Sequence, residues 1–257
     1  MDPHIVVLLI GIGVLAGMIA SIVGGAAVIV YPALMAAGVP PQMAAASNLV
    51  SLMPATMLAA LSDRSQLPPF NRAFVGLVFA SVTGAGAGAV LLMITPGRVF
   101  EFLVPLLLGF ATVLFALAER IGNWIRKRAE HKGRDVDFNV TSLKFLLPVS
   151  FYGGYFGAGV GVLILALFSI VTAGDYRSAN VTKNFVSSLN AMVASIIFIA
   201  EGAVAWPQTL SLMGGMIAGG LAGAYVARII SARVARGMII VVGAALTISF
   251  AKVYWFG

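Results

Sequence analysis

Apolar runs of about 20 residues recur along the whole chain, and they set the strongest limit on how it can fold. A helix of that length spans the hydrocarbon core of a bilayer, which is about 30 Å thick. The 257-residue sequence is 60% hydrophobic and only 10% charged, with a mean hydropathy of +1.02. A soluble domain is about half apolar and about a quarter charged. The pattern therefore predicts an all-α polytopic membrane protein rather than a β-barrel, whose strands would alternate over about 10 residues.

The apolar segments fall into two series, separated by one long polar stretch. The first run would be about 50 Å long as one straight helix, which exceeds the bilayer core, so it must be broken. Paired glycines within 21–25 favour a sharp turn there, and the glycine-rich run 153–161 offers a similar break in the second series. The expected apolar segments are about 5–37, 43–61, 73–94, 99–118, 143–172, 178–200, 207–230 and 235–256. The corresponding domains are a first membrane repeat at 1–118, a basic cytoplasmic loop at 119–142 and a second membrane repeat at 143–257.

The second series repeats the first. Aligning Gly17 with Gly153 sets an offset of 136 residues, and at that offset glycines and an Asn-x-x-Ser pattern match between the halves. The matched positions include Gly25 with Gly161, Asn48 with Asn184, Ser51 with Ser187 and Gly84 with Gly220. Glycine and alanine match easily by chance in such a composition, whereas the asparagine and serine matches are harder to dismiss. The sequence therefore predicts two copies of one structural unit.

Basic residues indicate how the two copies lie in the membrane, because cytoplasmic loops are enriched in Lys and Arg. If each broken run crossed the membrane once, the repeats would be parallel, and Arg228, Arg233 and Arg236 would lie outside. If each broken run is instead a re-entrant hairpin followed by three transmembrane helices, the second repeat is inverted. Only Arg98 and Lys252 then remain outside. We therefore expect two inverted repeats, with both chain ends facing away from the cytoplasm.

Polar residues recur in the middle of the apolar segment 178–200. Lys183, Ser187 and Asn190 share one face of a helix, and Asn184 belongs to an overlapping stripe. Polar side chains at bilayer depth face protein or a water-filled cavity rather than lipid. We expect this helix to line a substrate pathway. Two alternatives stay open: Lys183 could extend its ammonium group to the cytoplasmic interface, and the amides and hydroxyls could bond neighbouring helices.

The chain resembles the sulfite exporter TauE/SafE family of membrane transporters over nearly its whole length. The resemblance is carried by the glycine-rich start of each half, the Ala-x-x-Ser-Asn segment, Thr182-Lys183 with Asn190, and a Gly-x-Val-x-Trp exit. These motifs lie at Gly24–Gly25, Gly153–Gly161, Ala44–Asn48, Thr182–Asn190 and Gly202–Trp206. The resemblance implies export of small sulfur-containing anions, such as sulfite, sulfoacetate or related organosulfonates, across the cytoplasmic membrane.

An anion at bilayer depth needs positive potential and hydrogen-bond donors. The second half-helix of each hairpin would begin near mid-membrane, with unpaired N–H groups and the positive end of the helix dipole. Glycines would let the anion approach the backbone closely, although helix packing alone also explains glycines in membranes. The candidate substrate-binding residues are Lys183, Asn184, Ser187, Asn190, Asn48, Ser47, Ser51, Gly24, Gly25, Gly159 and Gly161, with Thr182 added from the family motif.

The sequence lacks the residue patterns that several other classes of protein require. The two histidines, His4 and His131, lie in polar segments, and the sequence has no P-loop motif, so we expect no metal, ATP site or other cofactor. The run Gly157-x-Gly159-x-Gly161 follows no predicted strand, which argues against a dinucleotide site. The net charge of +7 arises from basic loops and reflects topology rather than nucleic-acid binding. We therefore expect no enzymatic activity.

The sequence predicts a secondary transporter that works by alternating access in the cytoplasmic membrane, with a small anion and the lipid bilayer as its partners. An anion channel, an uptake carrier for small organic anions and a scaffold without flux are the alternatives, and a homo-oligomer is compatible with the sequence. Acidic residues fall at segment ends, so the membrane potential could drive export without a coupling ion. Glu201 is the first candidate if protons are coupled.

Overall fold

The computed structural model describes residues 2–22, 25–132, 140–172, 175–226 and 232–256, and its regular structure is helical throughout these ranges. The helices are α1 (Pro3–Ile22), α2 (Ala27–Ala36), α3 (Pro41–Ser62), α4 (Arg72–Ile94), α5 (Gly97–Lys132), α6 (Val140–Tyr155), α7 (Val160–Val171), α8 (Tyr176–Ala200), α9 (Trp206–Val226) and α10 (Ala232–Trp255). Within the same ranges, α1, α3, α4, α5, α8 and α10 each contain an apolar stretch long enough to cross a membrane. The chain is therefore an all-α, multi-pass membrane protein, as the sequence predicts.

Both predicted helix breaks are present, and glycines in the left-handed region form them. Gly25 has φ +89° between α1 and α2, and Gly157 and Gly159 have φ +78° and +77° between α6 and α7. An α-helix requires φ near −63°, so it cannot continue through such residues. The hydroxyl of Tyr152 donates to the carbonyl of Ala158 at 2.7 Å, which fixes the second turn.

Two helices are longer than we expected. α1, the first arm of the expected re-entrant hairpin, has 20 residues and by length and composition could cross a membrane, and the re-entrant arrangement stays a prediction. α5 has 36 residues and continues to Lys132, through most of the stretch that we expected to be a loop. Arg, Lys, Glu and Ala have high helix propensity, so the helix persists where the apolar residues stop. At about 1.5 Å per residue, α5 is about 54 Å long and extends beyond a bilayer core of about 30 Å.

The helices of the two halves occur in the same order and pack as equivalent pairs. The offset of 136 residues relates α1–α5 to α6–α10. α1 packs against α9, and the equivalent helices α6 and α4 pack against each other. α3 packs against α8 and α5 against α10, so each of these helices contacts its own equivalent. The repeat seen in the sequence is thus also present in the helix contacts.

The two pairs of equivalent helices are antiparallel. Where α3 ends, Asp63 accepts two hydrogen bonds, at 2.6 and 2.9 Å, from Arg177 at the start of α8. Near the start of α3, the hydroxyl oxygen of Ser47 accepts from the backbone N–H of Ala205, which follows α8. In the other pair, the indole of Trp255 at the end of α10 donates to a backbone carbonyl near the start of α5.

The pairs α1/α9 and α4/α6 are parallel and packed through glycines. Gly13 lies against Leu212, and further along both helices Gly17 lies against Gly220. In the second pair, Gly84 and then Gly88 lie against successive turns of α6. A Cβ at any of these glycines would overlap backbone atoms of the neighbouring helix. Small residues therefore allow the close approach of backbones that is common in membrane helix pairs.

These directions define two ends of the helix bundle. The basic end holds the end of α3 and the starts of α4 and α8, with Arg64, Arg72 and Arg177, and α5 extends beyond it. The terminal end holds the starts of α1, α3 and α5 and the end of α10, with Arg98 and Lys252. α2 runs beside α10 toward the terminal end, whereas α7 returns toward the basic end, where α8 begins. The two broken runs therefore enter the bundle from opposite ends.

Candidate functional site

A cavity of about 90 Å³ lies at the centre of the bundle, where the two helix breaks meet α3 and α8. We call it the inner cavity. The first break contributes Gly25–Ala27, and the second contributes Gly157 and Gly159–Gly161. α3 contributes Leu52 and Thr56 among others. The four polar residues of α8 that line it are Lys183, Asn184, Ser187 and Asn190.

Two short helices begin at the inner cavity. α2 starts at Ala27 and α7 at Val160, and both residues line the cavity. Several first N–H groups already donate to carbonyls of the preceding turn, with Val28 and Ile29 bonding Gly25 and Ala26, and Val160 and Val162 bonding Gly157 and Gly159. The helix dipole nevertheless places partial positive charge at each start. Because one such start comes from each half, the cavity receives positive potential from two directions. This is the arrangement that helix starts offer to anions.

Lys183 adds a full positive charge to the same cavity. Its side chain is 8% exposed, and its Cδ would be 3.8 Å from a Cβ placed on Gly161, at the start of α7. Among the described residues that line the inner cavity, Lys183 alone is charged. Within the described part of the chain, no carboxylate forms an ion pair with it. A buried cation beside the positive end of a helix favours the binding of an anion between them.

Asn190 is a second buried polar group at the inner cavity. It is 2% exposed, and neither its amide nitrogen nor its amide oxygen has a hydrogen-bond partner within the described structure. Asn184 and Ser187 line the same cavity and are half-buried. A buried amide without partners is destabilising by about 1–3 kcal/mol for each unsatisfied group, so it is a natural place for a ligand or water oxygen.

A larger cavity of about 260 Å³ lies between the inner cavity and the basic end of the bundle. We call it the outer cavity. It shares Leu52, Thr56, Lys183 and Asn184 with the inner cavity and continues to Ser62, at the end of α3. α1, α3, α8 and α9 surround it. The outer cavity therefore adjoins the inner cavity on the side of the basic end, and Lys183 and Asn184 line both.

The other predicted site residues lie elsewhere. Asn48, Ser47 and Ser51 on α3 are at most 1% exposed and line neither cavity. Ser47 binds the backbone of Ala205, and the hydroxyl of Ser51 donates to the carbonyl of Asn48 at 2.8 Å. Ser47 therefore ties α3 to the connection between α8 and α9, whereas the Ser51 hydroxyl bonds within α3 itself. Asn48 keeps both amide atoms unpaired within the described structure.

Thr182 and Glu201 are also separate from the inner cavity. Thr182 donates to the carbonyl of Ser178 and lines a third cavity, of about 590 Å³, between α7, α8 and the α3–α4 connection. Glu201 is exposed and directly follows α8 at the terminal end. Gly24 lies outside the described residues. The substrate-binding and coupling roles of these residues stay predictions.

The inner cavity also includes residues that the sequence did not single out. Thr56 lines both cavities, and its hydroxyl donates to the carbonyls of Leu52 and Met53. Gly153 and Gly157 lie in the glycine run that marked the break, but sequence reasoning chose only its later members. Thr56 lies about two helical turns after Asn48, outside the Asn-x-x-Ser pattern that the two halves share. Its counterpart in the second half is Met192, so the repeat did not mark Thr56 as a polar site residue.

Comparison with known proteins places the chain among membrane transporters. Residues 9–250 match the sulfite exporter TauE/SafE family. Probable membrane transporter protein ORF9 of Sinorhizobium is 27% identical over 245 residues, which covers 95% of this chain and 92% of that protein. A probable membrane transporter protein of Haemophilus influenzae is 26% identical, covering 92% and 90%. The Escherichia coli probable membrane transporter protein YfcA is 24% identical, covering 96% and 89%. No solved structure matches.

The match extends from the first helix to the last and includes both helix breaks and the cavity between them. The relatives are described as transporters and not as enzymes. Apolar helices of membrane-spanning length agree with that description. The chain is a multi-pass membrane transporter that works in a lipid bilayer on a small substrate, and it belongs to the sulfite exporter TauE/SafE family.

Proposed function

We propose that this protein is a secondary transporter that exports small sulfur-containing anions, such as sulfite, sulfoacetate or related organosulfonates, by alternating access. The observation that carries the proposal is the inner cavity, where Lys183 and the starts of α2 and α7 all direct positive charge to one place. Asn190, Asn184 and Ser187 supply neutral donors around it. Oxyanions of sulfur present several oxygen acceptors to such a set of donors.

The size of the cavity supports a small substrate. Pockets for drug-sized ligands have volumes of about 300–1,000 Å³. The inner cavity, at about 90 Å³, suits an ion of a few heavy atoms. The wider outer cavity of about 260 Å³ gives such an ion a route to the site from the basic end. No acidic residue occurs among the described residues that line either cavity, so nothing there repels an anion.

Helix directions support an inverted arrangement of the two repeats. The equivalent helices α3 and α8 are antiparallel, as are α5 and α10, and each of the four contains a stretch long enough to span the membrane. An axis that relates antiparallel spanning helices lies in the membrane plane, which is the geometry of inverted-repeat transporters. The broken runs then enter from opposite sides and meet at the substrate site.

The basic end is proposed to face the cytoplasm. It carries Arg64, Arg72 and Arg177 and the Arg- and Lys-rich continuation of α5, whereas Arg98 and Lys252 lie at the terminal end. Cytoplasmic segments are enriched in such residues. The outer cavity then opens to the cytoplasm, from which an exported anion would enter. Asn48 and Ser47, on the opposite side of the inner cavity, are buried, and a closed barrier of this kind favours a carrier over a channel.

Transport by purified protein in proteoliposomes tests the proposal. We expect vesicles loaded with sulfite or sulfoacetate to exchange it for external labelled anion much faster than protein-free vesicles, and faster than they exchange acetate. Thermal stabilisation in detergent by the same anions should give the same order of preference. Failure of every sulfur-containing anion both to exchange and to stabilise the protein would overturn the proposal and favour a scaffold without flux. Flux at the rates of an open pore would favour a channel.

A further inference from the structure

The outer cavity has a counterpart that is closed in this structure. When each residue that lines the outer cavity is shifted by the repeat offset of 136 residues, the result is a second set on α3, α4, α6 and α8. The pairs include Gly17 with Gly153, Ala59 with Ser195, Asn184 with Asn48, Asn180 with Ala44 and Leu221 with Ala85. The first members surround open space, whereas most of the second members lie in packed helices, and two of them, Gly153 and Ala191, line the inner cavity.

Exposure differs between most members of the two sets, although Gly17, Lys183 and Met216 of the outer-cavity set are buried. Ala59 is exposed, but its counterpart Ser195 is only 4% exposed. Leu221 is 68% exposed, and its counterpart Ala85 is fully buried. The whole second set is buried except Met192, the counterpart of Thr56. Two halves with the same helix order therefore hold equivalent residues in opposite states, one open and one closed.

Unpaired polar atoms lie within the closed set and beside it. Asn48 is 1% exposed, and both its amide atoms lack a partner within the described structure, as does the hydroxyl of Ser195. Ser150 on α6, which meets α4 at Gly84, also has an unpaired hydroxyl there. Buried polar groups are ordinarily hydrogen-bonded, so these three groups, one each on α3, α8 and α6, require an explanation. They are explained if these surfaces separate and take up water in another conformation.

We propose that α3, α4, α6 and α8 enclose a second vestibule, which opens to the terminal end when the outer cavity closes and releases the anion past Asn48 and Ser195. This inference rests on the proposed transport by two inverted repeats. In such transporters the halves move against each other around a fixed site, so the closed side opens as the open side closes. Asn48 then acts in the exit route, as Asn184 acts in the entry route, and the two amides do not bind substrate at the same time.

Cysteine accessibility tests the vestibule directly, because the chain contains no native cysteine. The matched variants are Ala59→Cys in the outer cavity and Ser195→Cys at the equivalent position of the closed set. Ala45→Cys is the control, since Ala45 and its counterpart Val181 are both buried and line neither route. Oriented membrane vesicles would be treated with a positively charged, membrane-impermeant thiol reagent, from the side of the basic end or of the terminal end.

Ala59→Cys should react only from the side of the basic end. Ser195→Cys should react only from the terminal side, at about 0.1–10% of the rate of Ala59→Cys, which is the usual population of a minor conformation. Ala45→Cys should not react from either side. Ala44, the counterpart of Asn180, provides a second position in the closed set, and Ala44→Cys should behave like Ser195→Cys. Agreement between the two variants would show that the result does not depend on one substitution.

The outcomes separate this inference from the proposed function. If Ser195→Cys and Ala44→Cys both export anions but react no faster than Ala45→Cys from the terminal side, the second vestibule is wrong and transport stands. Reaction of Ser195→Cys from the basic side would also overturn the vestibule. If terminal-side reaction of Ser195→Cys is seen and also blocks export in proteoliposomes, the exit route is supported. Absence of flux in the unmodified protein would refute the proposed function instead.

Discussion

At the scale of single residues, the main electrostatic feature of the site is the buried positive charge of Lys183, which is unpaired within the described residues. A buried ammonium group without a counter-ion is destabilising, and the start of α7 beside it is also positive. An anion in the inner cavity would relieve both effects at once. Without an anion, the unmodified protein should therefore be less stable than a variant with a neutral side chain at position 183. With an anion bound, the unmodified protein should be the more stable of the two.

The first prediction concerns Lys183→Met. We expect the variant without ligand to be at least as stable as the unmodified protein, because an uncompensated buried charge is removed. We also expect it to lose the stabilisation by sulfite, with binding weakened by roughly 10- to 150-fold, since hydrogen bonds to charged groups contribute about 1.5–3 kcal/mol. Thermal unfolding in detergent at increasing sulfite concentration measures both effects.

Lys252→Met is the matched control, because Lys252 is exposed near the end of α10, away from the cavities. It should leave the response to sulfite unchanged. Normal stabilisation of Lys183→Met by sulfite would contradict the assignment of Lys183 to the site. It would instead favour a lysine whose ammonium group reaches the interface and whose charge plays no part in binding.

Helical periodicity accounts for the part of the candidate site that the sequence could predict. Lys183, Ser187 and Asn190 recur at helical spacing, and α8 brings all three to the inner cavity. Asn48 and Ser51 were chosen because they match Asn184 and Ser187 in the repeat. Sequence identity between halves carries no information on conformation, and the structure holds the two halves in different arrangements around the centre.

At the scale of helices, one side chain caps the start of α8. Asp175 is the N-cap: its carboxylate accepts from the backbone N–H of Arg177 at 3.0 Å and from the Ser178 hydroxyl at 2.6 Å. The Ser178 hydrogen bond is the largest cause that lowers the pKa of Asp175 below its usual value. α8 carries the polar face of the inner cavity, so fraying of its first turn would loosen the approach to Lys183.

The second prediction is that Asp175→Ala destabilises the protein by about 1 kcal/mol near pH 7, the usual contribution of an N-cap. The folded pKa of Asp175 is lowered, so its carboxylate stabilises the fold fully above the unfolded pKa of about 4. That contribution is lost as the pH falls through the folded pKa. The difference in Tm between the variant and the unmodified protein should therefore shrink below about pH 4.

Asp175→Asn provides the control for charge. Asparagine caps helices about as well as aspartate does, so this variant should keep most of the stability at pH 7. Its Tm difference from the unmodified protein should also be smaller than that of Asp175→Ala. Equal losses for both variants at pH 7 would show that the carboxylate charge, and not the cap geometry, stabilises the start of α8.

Helix breaks were predictable from sequence, whereas helix ends beyond the membrane were not. Left-handed Gly25 and Gly159 stand in runs too long to cross the bilayer once, so length and composition together located the turns. The apolar signal of α5 stops near Ala118, but the helix continues to Lys132. The hydropathy of a sequence indicates where a helix leaves the lipid, whereas the end of the helix itself depends on the helix propensity of the polar residues that follow.

At the scale of the whole molecule, the distribution of acidic residues bears on what drives transport. Glu101 and Glu201 lie at the terminal end, and Asp63 and Asp175 lie at the basic end. No carboxylate occurs among the described residues that line the inner or outer cavity. A proton-coupled carrier generally needs an ionisable residue on the substrate path. The described path instead carries one fixed positive charge, which suits a carrier driven by the charge of its substrate.

The third prediction is that export follows the membrane potential and needs no proton gradient. A potential of 100 mV contributes about 2.3 kcal/mol for each charge moved, which corresponds to about a 50-fold gradient of a monovalent anion. In proteoliposomes with the potential clamped by a potassium gradient and an ionophore, efflux should rise steeply as the side of the basic end becomes negative. Collapse of a pH gradient at constant potential should leave the rate unchanged.

Glu201→Gln tests whether Glu201, the first candidate for proton coupling, carries protons during transport. Glu201 is exposed at the end of α8, outside both cavities, so we expect its neutral form to transport with the same dependence on potential. Efflux that ignores the potential, follows the pH gradient and is lost in Glu201→Gln would show that protons are coupled at the terminal end. Lys183 would then set only the affinity for the anion, and the proton gradient would drive export through a carboxylate that lies outside both cavities.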